Sequence, residues 1–188
     1  MPPYGKFGST DTIYIFLAKV GLVTQEFKVY YPSEIGLLEI IGTAESIRAI
    51  NFVDAEEVDQ AIEAADPPPA VAACLAQLDE YFKGQRRDFS LNLEPAGTAF
   101  QQTVWQQLTT VPYGRTVSYL DVARQVGNEK AVRAVGAANG QNPIVIVVPC
   151  HRVVGSNGQL TGYGGGLWRK AWLLEHEKRF SSPQMALF

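Results

Sequence analysis

Between Thr12 and Val53 the apolar and polar positions fall into short runs that predict strands over residues 13–18, 26–31, 37–42 and 47–52. Pro32-Ser33 and Gly42-Thr43 punctuate them as turns. Residues 55–65 are acidic and Ala-rich, the pattern of a solvated helix. Asp66-Pro67-Pro68-Pro69 breaks the chain and can open the next helix, because proline is tolerated in the first turn. Val71, Leu75, Leu78 and Phe82 then recur at helical spacing as far as Gly84, and Cys74 beside that stripe reads as a core residue. Residues 1–90 thus predict a small α+β domain, followed by a linker over 91–97.

The pattern changes after the linker. Thr98 is a helix cap, with Phe100, Val104, Leu108 and Val111 as the apolar face and Pro112-Tyr113-Gly114 as the stop. Ser118 and Asp121 resemble a capping box opening a helix over 119–126, and after Gly127-Asn128 a second helix runs over 129–138. Two short helices joined by a Gly-containing turn predict a helix-turn-helix. The all-apolar run 144–148, bounded by Pro143 and Pro149, predicts a buried strand. A Gly155-Ser156-Asn157-Gly158 turn, a glycine-rich loop at 163–166 and a helix over 167–178 complete the domain, 98–180, with a tail over 181–188.

Cys150 lies where that strand hands over to a loop, followed by His151 and Arg152. A rigid strand end holds a nucleophile in place, and an electropositive setting favours the thiolate. On the Cys-His pair alone, a buried structural cysteine reads equally well. Composition narrows the context. The chain has 188 residues, 46% of them hydrophobic, with no apolar stretch near the ~18 residues a membrane span requires. No signal peptide is evident at the start, and two cysteines and two histidines make neither a disulfide framework nor a zinc cluster. A cytoplasmic, reducing compartment is expected, nucleoid-associated in a prokaryote. Residues 1–90 carry 7 basic and 14 acidic side chains, net −7, whereas 91–188 carry 9 and 5, net +4. That asymmetry points weakly to a polyanion partner for the second half.

Several spaced blocks resemble the O6-alkylguanine-DNA alkyltransferases. They are Gly97-Thr98-Ala99-Phe100-Gln101 with Val104-Trp105, Val111-Pro112-Tyr113-Gly114, Val117-Ser118-Tyr119, Arg133-Ala134-Val135-Gly136 and Asn142-Pro143. Pro149-Cys150-His151-Arg152-Val153-Val154, Gly162-Tyr163 and Trp172 to Glu177 follow in order. The resemblance covers roughly 70–180. It implies an N-terminal α/β ribonuclease-H-like domain and a C-terminal helix-turn-helix, winged-helix-like domain. It also implies suicide transfer of an alkyl group from O6-alkylguanine, and weakly O4-alkylthymine, to Cys150, with no cofactor or metal.

The same resemblance assigns roles. His151 would deprotonate Cys150 through a water, and Glu177, which alone reads as a solvated helix residue, would orient His151. Asn142 would brace the active-site turn, and the Tyr119 hydroxyl would protonate or hydrogen-bond N3 of the departing guanine. Tyr163 would wall the pocket, the Cys150 and Val153 carbonyls would accept from the guanine amino group, and the Gly164 N–H would face O6. Gly164 departs from some relatives, which carry serine there, and glycine would widen the pocket for bulkier alkyl groups. Arg133 would fill the space left by the flipped nucleotide, with Ala134, Ala137 and Ala138 as a small-residue face toward the minor groove. The tail residues Gln184, Leu187 and Phe188 resemble a sliding-clamp docking peptide, or else fold back on the domain. An alkyltransferase-like lesion-binding protein is the rival reading, but it would lack the cysteine. A cysteine hydrolase would need to regenerate the thiol.

Overall fold

The computed structural model describes residues 14–18, 25–54 and 67–181. The expected helix over 55–65 and the tail anchors Gln184, Leu187 and Phe188 lie outside the described residues. β1 (Tyr14–Ala18), β2 (Glu26–Ser33), β3 (Gly36–Gly42) and β4 (Ile47–Val53) form an antiparallel meander in chain order. Alternation buries one face, so Val29, Leu38, Ile40, Ile47 and Ile50 are all fully enclosed. The first tight turn sits two residues later than expected. Pro32 pairs with Leu37 inside the β2–β3 hairpin, and Ser33 pairs with Gly36, whose φ of 118° closes the turn. Pro32 lies beyond the Tyr14–Tyr30 pair of β1 and β2, next to the hairpin turn, where no described neighbouring strand calls on its missing N–H.

Against this sheet packs α1 (Pro69–Phe82), which opens on a proline and buries Val71, Cys74, Leu75, Leu78, Tyr81 and Phe82. Cys74 is a core residue, as its place beside the stripe implies. Burial pushes its thiol up to about 12, which leaves it inert as a nucleophile.

β4 has β3 on one edge, and its other edge is taken by the second half of the chain. Ile47 N–H donates to the Asn92 carbonyl at 2.8 Å, and Glu94 N–H returns to the Ile47 carbonyl at 2.8 Å. Three residues along, Ile50 N–H donates to the Pro143 carbonyl at 2.8 Å and Val145 N–H to the Ile50 carbonyl at 3.0 Å. The 91–97 linker is thus hydrogen-bonded to the sheet rather than free.

In the second half, Thr98 and Gln101 form a reciprocal capping box at the start of α2 (Ala99–Leu108), and Ser118 with Asp121 does the same after β5 (Val117–Ser118) for α3 (Tyr119–Gln125). The second helix of the pair is in two parts, a 3₁₀ turn Glu129–Ala131 and then α4 (Val132–Gly140). Val104, Leu108 and Val111 are buried as expected, but Phe100 is 39% exposed. Trp105 takes the core position instead and donates its indole N–H to the Ala138 carbonyl at 2.8 Å. β5 pairs in parallel with β6 (Val153–Val154), and α5 (Leu167–Ser181) closes the domain.

Candidate active site

The segment before Cys150 is a turn, not the expected strand. Ile144 makes one isolated bridge to Ile50, and the chain then reverses, with Val147 N–H reaching the Val145 carbonyl at 2.9 Å and Val148 N–H the Ile144 carbonyl at 3.0 Å. The five apolar side chains are all buried, so burial alone does not distinguish strand from turn in the sequence. Ile146 holds a φ of 72°, a β-branched residue in the left-handed region, at a cost of about 1–3 kcal/mol. Asn142 offsets that cost. Its amide donates to the Val148 carbonyl at 2.8 Å and the Ile144 carbonyl at 3.3 Å, and its oxygen accepts from Ile144 N–H at 3.0 Å. The brace delivers a 3₁₀ turn, Cys150–Arg152, in which all three side chains are buried.

Glu177 on α5 meets that turn. The side chains of Glu177 and His151 are both fully buried, and His151 Nε2–H donates to Oε1 at 2.7 Å. Arg152 donates from Nε and Nη2 at 3.0–3.2 Å, Tyr81 from its hydroxyl at 3.0 Å and Gly114 from its N–H at 3.0 Å. Burial by itself would raise this carboxyl, but the hydrogen bonds and charges of His151 and Arg152 outweigh it and hold it far below the usual carboxylate range. An ionised Glu177 fixes the His151 tautomer, leaving a lone pair on Nδ1, which is buried and accepts from no described group. Burial, opposed by Glu177, lowers the His151 pKa, so the ring is neutral at neutral pH and its Nδ1 lone pair is open to a proton.

The thiol is in a different state from the one its basic neighbours suggest. Cys150 is 3% exposed, and burial pushes it up to about 11 against the pull of the Asn142 amide and the Lys170 charge. It therefore rests as a neutral thiol, and its ionisation must be coupled to a base. Lys170 is itself fully buried on α5, with its pKa brought down by burial to about 8. Its ammonium donates to the carbonyls of Thr161 at 2.8 Å and Gly162 at 3.4 Å, pinning the glycine-rich loop.

That loop and the helix pair form the rim. The Tyr119 hydroxyl donates to the Thr161 carbonyl at 3.1 Å. Tyr163 buries a hydroxyl with no described partner, and Val153 is fully enclosed. A Cβ at Gly164 would meet only the Gly140 carbonyl, at 3.7 Å, so the position has room for a side chain. At Gly165 it would stand 2.7 Å from the Phe52 ring, which explains glycine there. Arg133, Ala134 and Ala137 are exposed on α4, but Ala138 is only 2% exposed and packs inward, so it is not part of the expected small-residue face.

Four contributors escaped the sequence reading. Tyr81 and Gly114 reach Glu177 from 96 and 63 residues away, and no local pattern announces such a contact. Asn139 donates to the Cys150 carbonyl at 3.4 Å. Lys170 carried a signal: with Leu173 and Glu177 it lies on the buried face of α5, where a lysine is out of place unless it has partners.

The fold and site define a protein with a buried cysteine, next in sequence to a buried histidine–glutamate pair, set against a helix-turn-helix. Residues 27–95 match the family model described as 6-O-methylguanine DNA methyltransferase, ribonuclease-like domain, and residues 99–179 match the DNA binding domain of the same description. A methylated-DNA–protein-cysteine methyltransferase of Mycolicibacterium paratuberculosis is 46% identical over 156 residues, spanning 83% of this chain and 94% of that one. The inducible enzyme of that name from Bacillus subtilis is 53% identical over 106 residues, 56% of this chain and 59% of its own. Among solved structures, Mycobacterium tuberculosis O6-methylguanine methyltransferase is similar with a TM-score of 0.70 at 43% identity, covering 82% of this chain and 93% of that one. The same organism's protein in complex with DNA gives 0.71 at 44%, covering 82% and 94%. This chain belongs to the 6-O-methylguanine DNA methyltransferase family.

Proposed function

We propose that this protein repairs DNA by direct reversal, moving the alkyl group of O6-alkylguanine, and more weakly of O4-alkylthymine, irreversibly to Cys150. The observation that carries the reading is the buried Glu177–His151 pair beside a neutral thiol with no other use for a base. His151 Nδ1 takes the Cys150 proton through a water, and the imidazolium so formed is stabilised by Glu177. The sulfur attacks the alkyl carbon, a C–S bond forms, the C–O6 bond breaks, and its electron pair returns to the guanine. Tyr119 gives up its bond to Thr161 and supplies a proton or hydrogen bond at N3. The thioether is not displaced again, so one molecule repairs one lesion.

The alkylated base must leave the duplex at a cost of a few kcal/mol. Arg133, with Ala134 and Ala137, occupies the minor groove and fills the gap. Tyr163, the Gly164 N–H and the Cys150 and Val153 carbonyls hold the base. The functional boundaries are 1–90, 98–180 and the tail. Among the described residues no helix is long and apolar enough to cross a membrane, and a reactive thiol calls for the reducing cytoplasm, beside the nucleoid in a prokaryote. For the tail, only the residue pattern supports clamp docking by Gln184, Leu187 and Phe188, and loss of clamp pull-down on deleting 184–188 is the expected result.

Intact-protein mass after incubation with duplex DNA carrying one O6-methylguanine tests the main reading. One added methyl, mapped to Cys150 and absent in Cys150→Ala, is expected. Lesion-selective binding with no mass change would favour a recognition protein instead. Arg133→Ala should slow transfer from duplex DNA while sparing transfer from the free base O6-benzylguanine, which needs no flipping.

A further inference from the structure

We propose that Tyr81, from the N-terminal domain, is a positioning residue of the relay, setting the basicity of His151 through a hydrogen bond to Glu177. The inference rests on the transferase reading above.

Tyr81 is fully buried near the end of α1 and held at both ends by consecutive residues of α5. The ring N–H of His176 donates to the Tyr81 carbonyl at 2.8 Å, and the Tyr81 hydroxyl donates to Glu177 Oε1 at 3.0 Å. Phe89, Tyr113 and His176 pack around its ring with centroids at 5.2–6.1 Å, leaving the phenol one direction to point. The oxygen it reaches is the same one that accepts from His151 at 2.7 Å. Tyr81 is a further donor on that oxygen, beside His151 and the Arg152 guanidinium, and it draws off negative charge that would otherwise stabilise the imidazolium.

The other charged or titratable groups around Glu177 leave this role to Tyr81. His151 and Arg152 come from the 3₁₀ turn, Tyr113 from the loop after α2 and Tyr163 from the glycine-rich loop, while Lys170 on α5 acts on the His151 ring and on Cys150. Arg152 is a fixed cation committed also to the Val111 carbonyl. The Tyr113 and Tyr163 hydroxyls are buried and donate to no described group. Among the described residues Tyr81 is thus the one neutral side-chain donor to the carboxylate besides His151 itself, and it comes from the N-terminal domain.

The sign follows from the charge. Without the phenol, Glu177 presents more negative charge to His151, the imidazolium is favoured, and the ring's pKa rises. Transfer needs the neutral ring, so the acid limb of the pH–rate profile moves to higher pH. A more acidic phenol donates more strongly and moves it to lower pH.

The test is single-turnover methyl transfer from duplex DNA carrying one O6-methylguanine, measured against pH for the full chain, for Tyr81→Phe and for 3-fluorotyrosine in place of Tyr81. The Tyr81→Phe midpoint should rise by about half a pH unit, in keeping with a modest hydrogen bond to a charged group. The fluorinated protein should shift oppositely, and undamaged-duplex affinity should stay within about twofold. A purely structural role would scale the rate at every pH without moving the midpoint, and coincident midpoints would overturn the inference. If Tyr81→Phe fails to fold, the fluorinated protein, which keeps the ring and the hydroxyl, decides alone. Absence of transfer by the wild-type chain would overturn the transferase reading itself, a result distinguishable from unshifted midpoints.

Discussion

Glu177 shows what a single buried charge does here. Its carboxylate is committed to His151, Arg152, Tyr81 and Gly114 at once. Removing a charge from such a set typically costs about 3–5 kcal/mol. Glu177→Gln should therefore lower the melting temperature and slow transfer at neutral pH by about 100-fold or more, as loss of a positioned acid–base partner does. Because the folded-state pKa lies below the unfolded value, this stabilisation is complete above about pH 4.3 and is lost as pH falls through the depressed value. Melting curves across the acid range should show the gap between wild type and Glu177→Gln closing as pH falls. Gly164 offers a gentler test. Its backbone is not in the left-handed region and a Cβ fits, so Gly164→Ser should fold as well as the parent. Competition between O6-benzylguanine and O6-methylguanine should then show benzyl transfer reduced relative to methyl.

At the scale of elements, the turn between α4 and Cys150 is held by Asn142 together with the edge of β4. Asn142 makes three hydrogen bonds across it, against the left-handed strain at Ile146. Asn142→Ala leaves buried backbone groups unpaired and should cost about 2–4 kcal/mol. Transfer should drop with it, while affinity for undamaged duplex, which the proposed function places on α4, should stay near wild type. Helix starts were legible because capping is local: Thr98 with Gln101 and Ser118 with Asp121 act within four residues. The turn was not legible, because a buried β-branched run reads as a strand, and the reversal depends on partners supplied by Asn142 and β4.

Over the whole molecule, the open edge of β4 ties the two halves together. It carries hydrogen bonds to Asn92 and Glu94 and to the segment before Cys150 at Pro143 and Val145. Arg169 adds bonds at 2.7 Å to the carbonyls of Ile35 and Gly165, with its guanidinium 4.5 Å from the Phe52 ring. Residues 91–188 expressed alone should therefore melt at lower temperature and transfer the alkyl group slowly. They should nevertheless bind undamaged duplex more tightly at low salt than the full chain does, because they shed a net −7 partner. A salt titration of both proteins checks this.

By itself the sequence determined the four strands of the first half, the capped helix starts of the second half, the core role of Cys74 and the pairing of Cys150 with His151 as candidate chemistry. Those properties depend on neighbours a few residues apart, which a linear pattern records. The neutral state of the thiol, the buried ionisation of Glu177, the inward turn of Ala138 and the hydrogen bond from Tyr81 to Glu177 were decided only by tertiary structure. Each depends on desolvation or on donors from distant segments, and neither is written in local spacing.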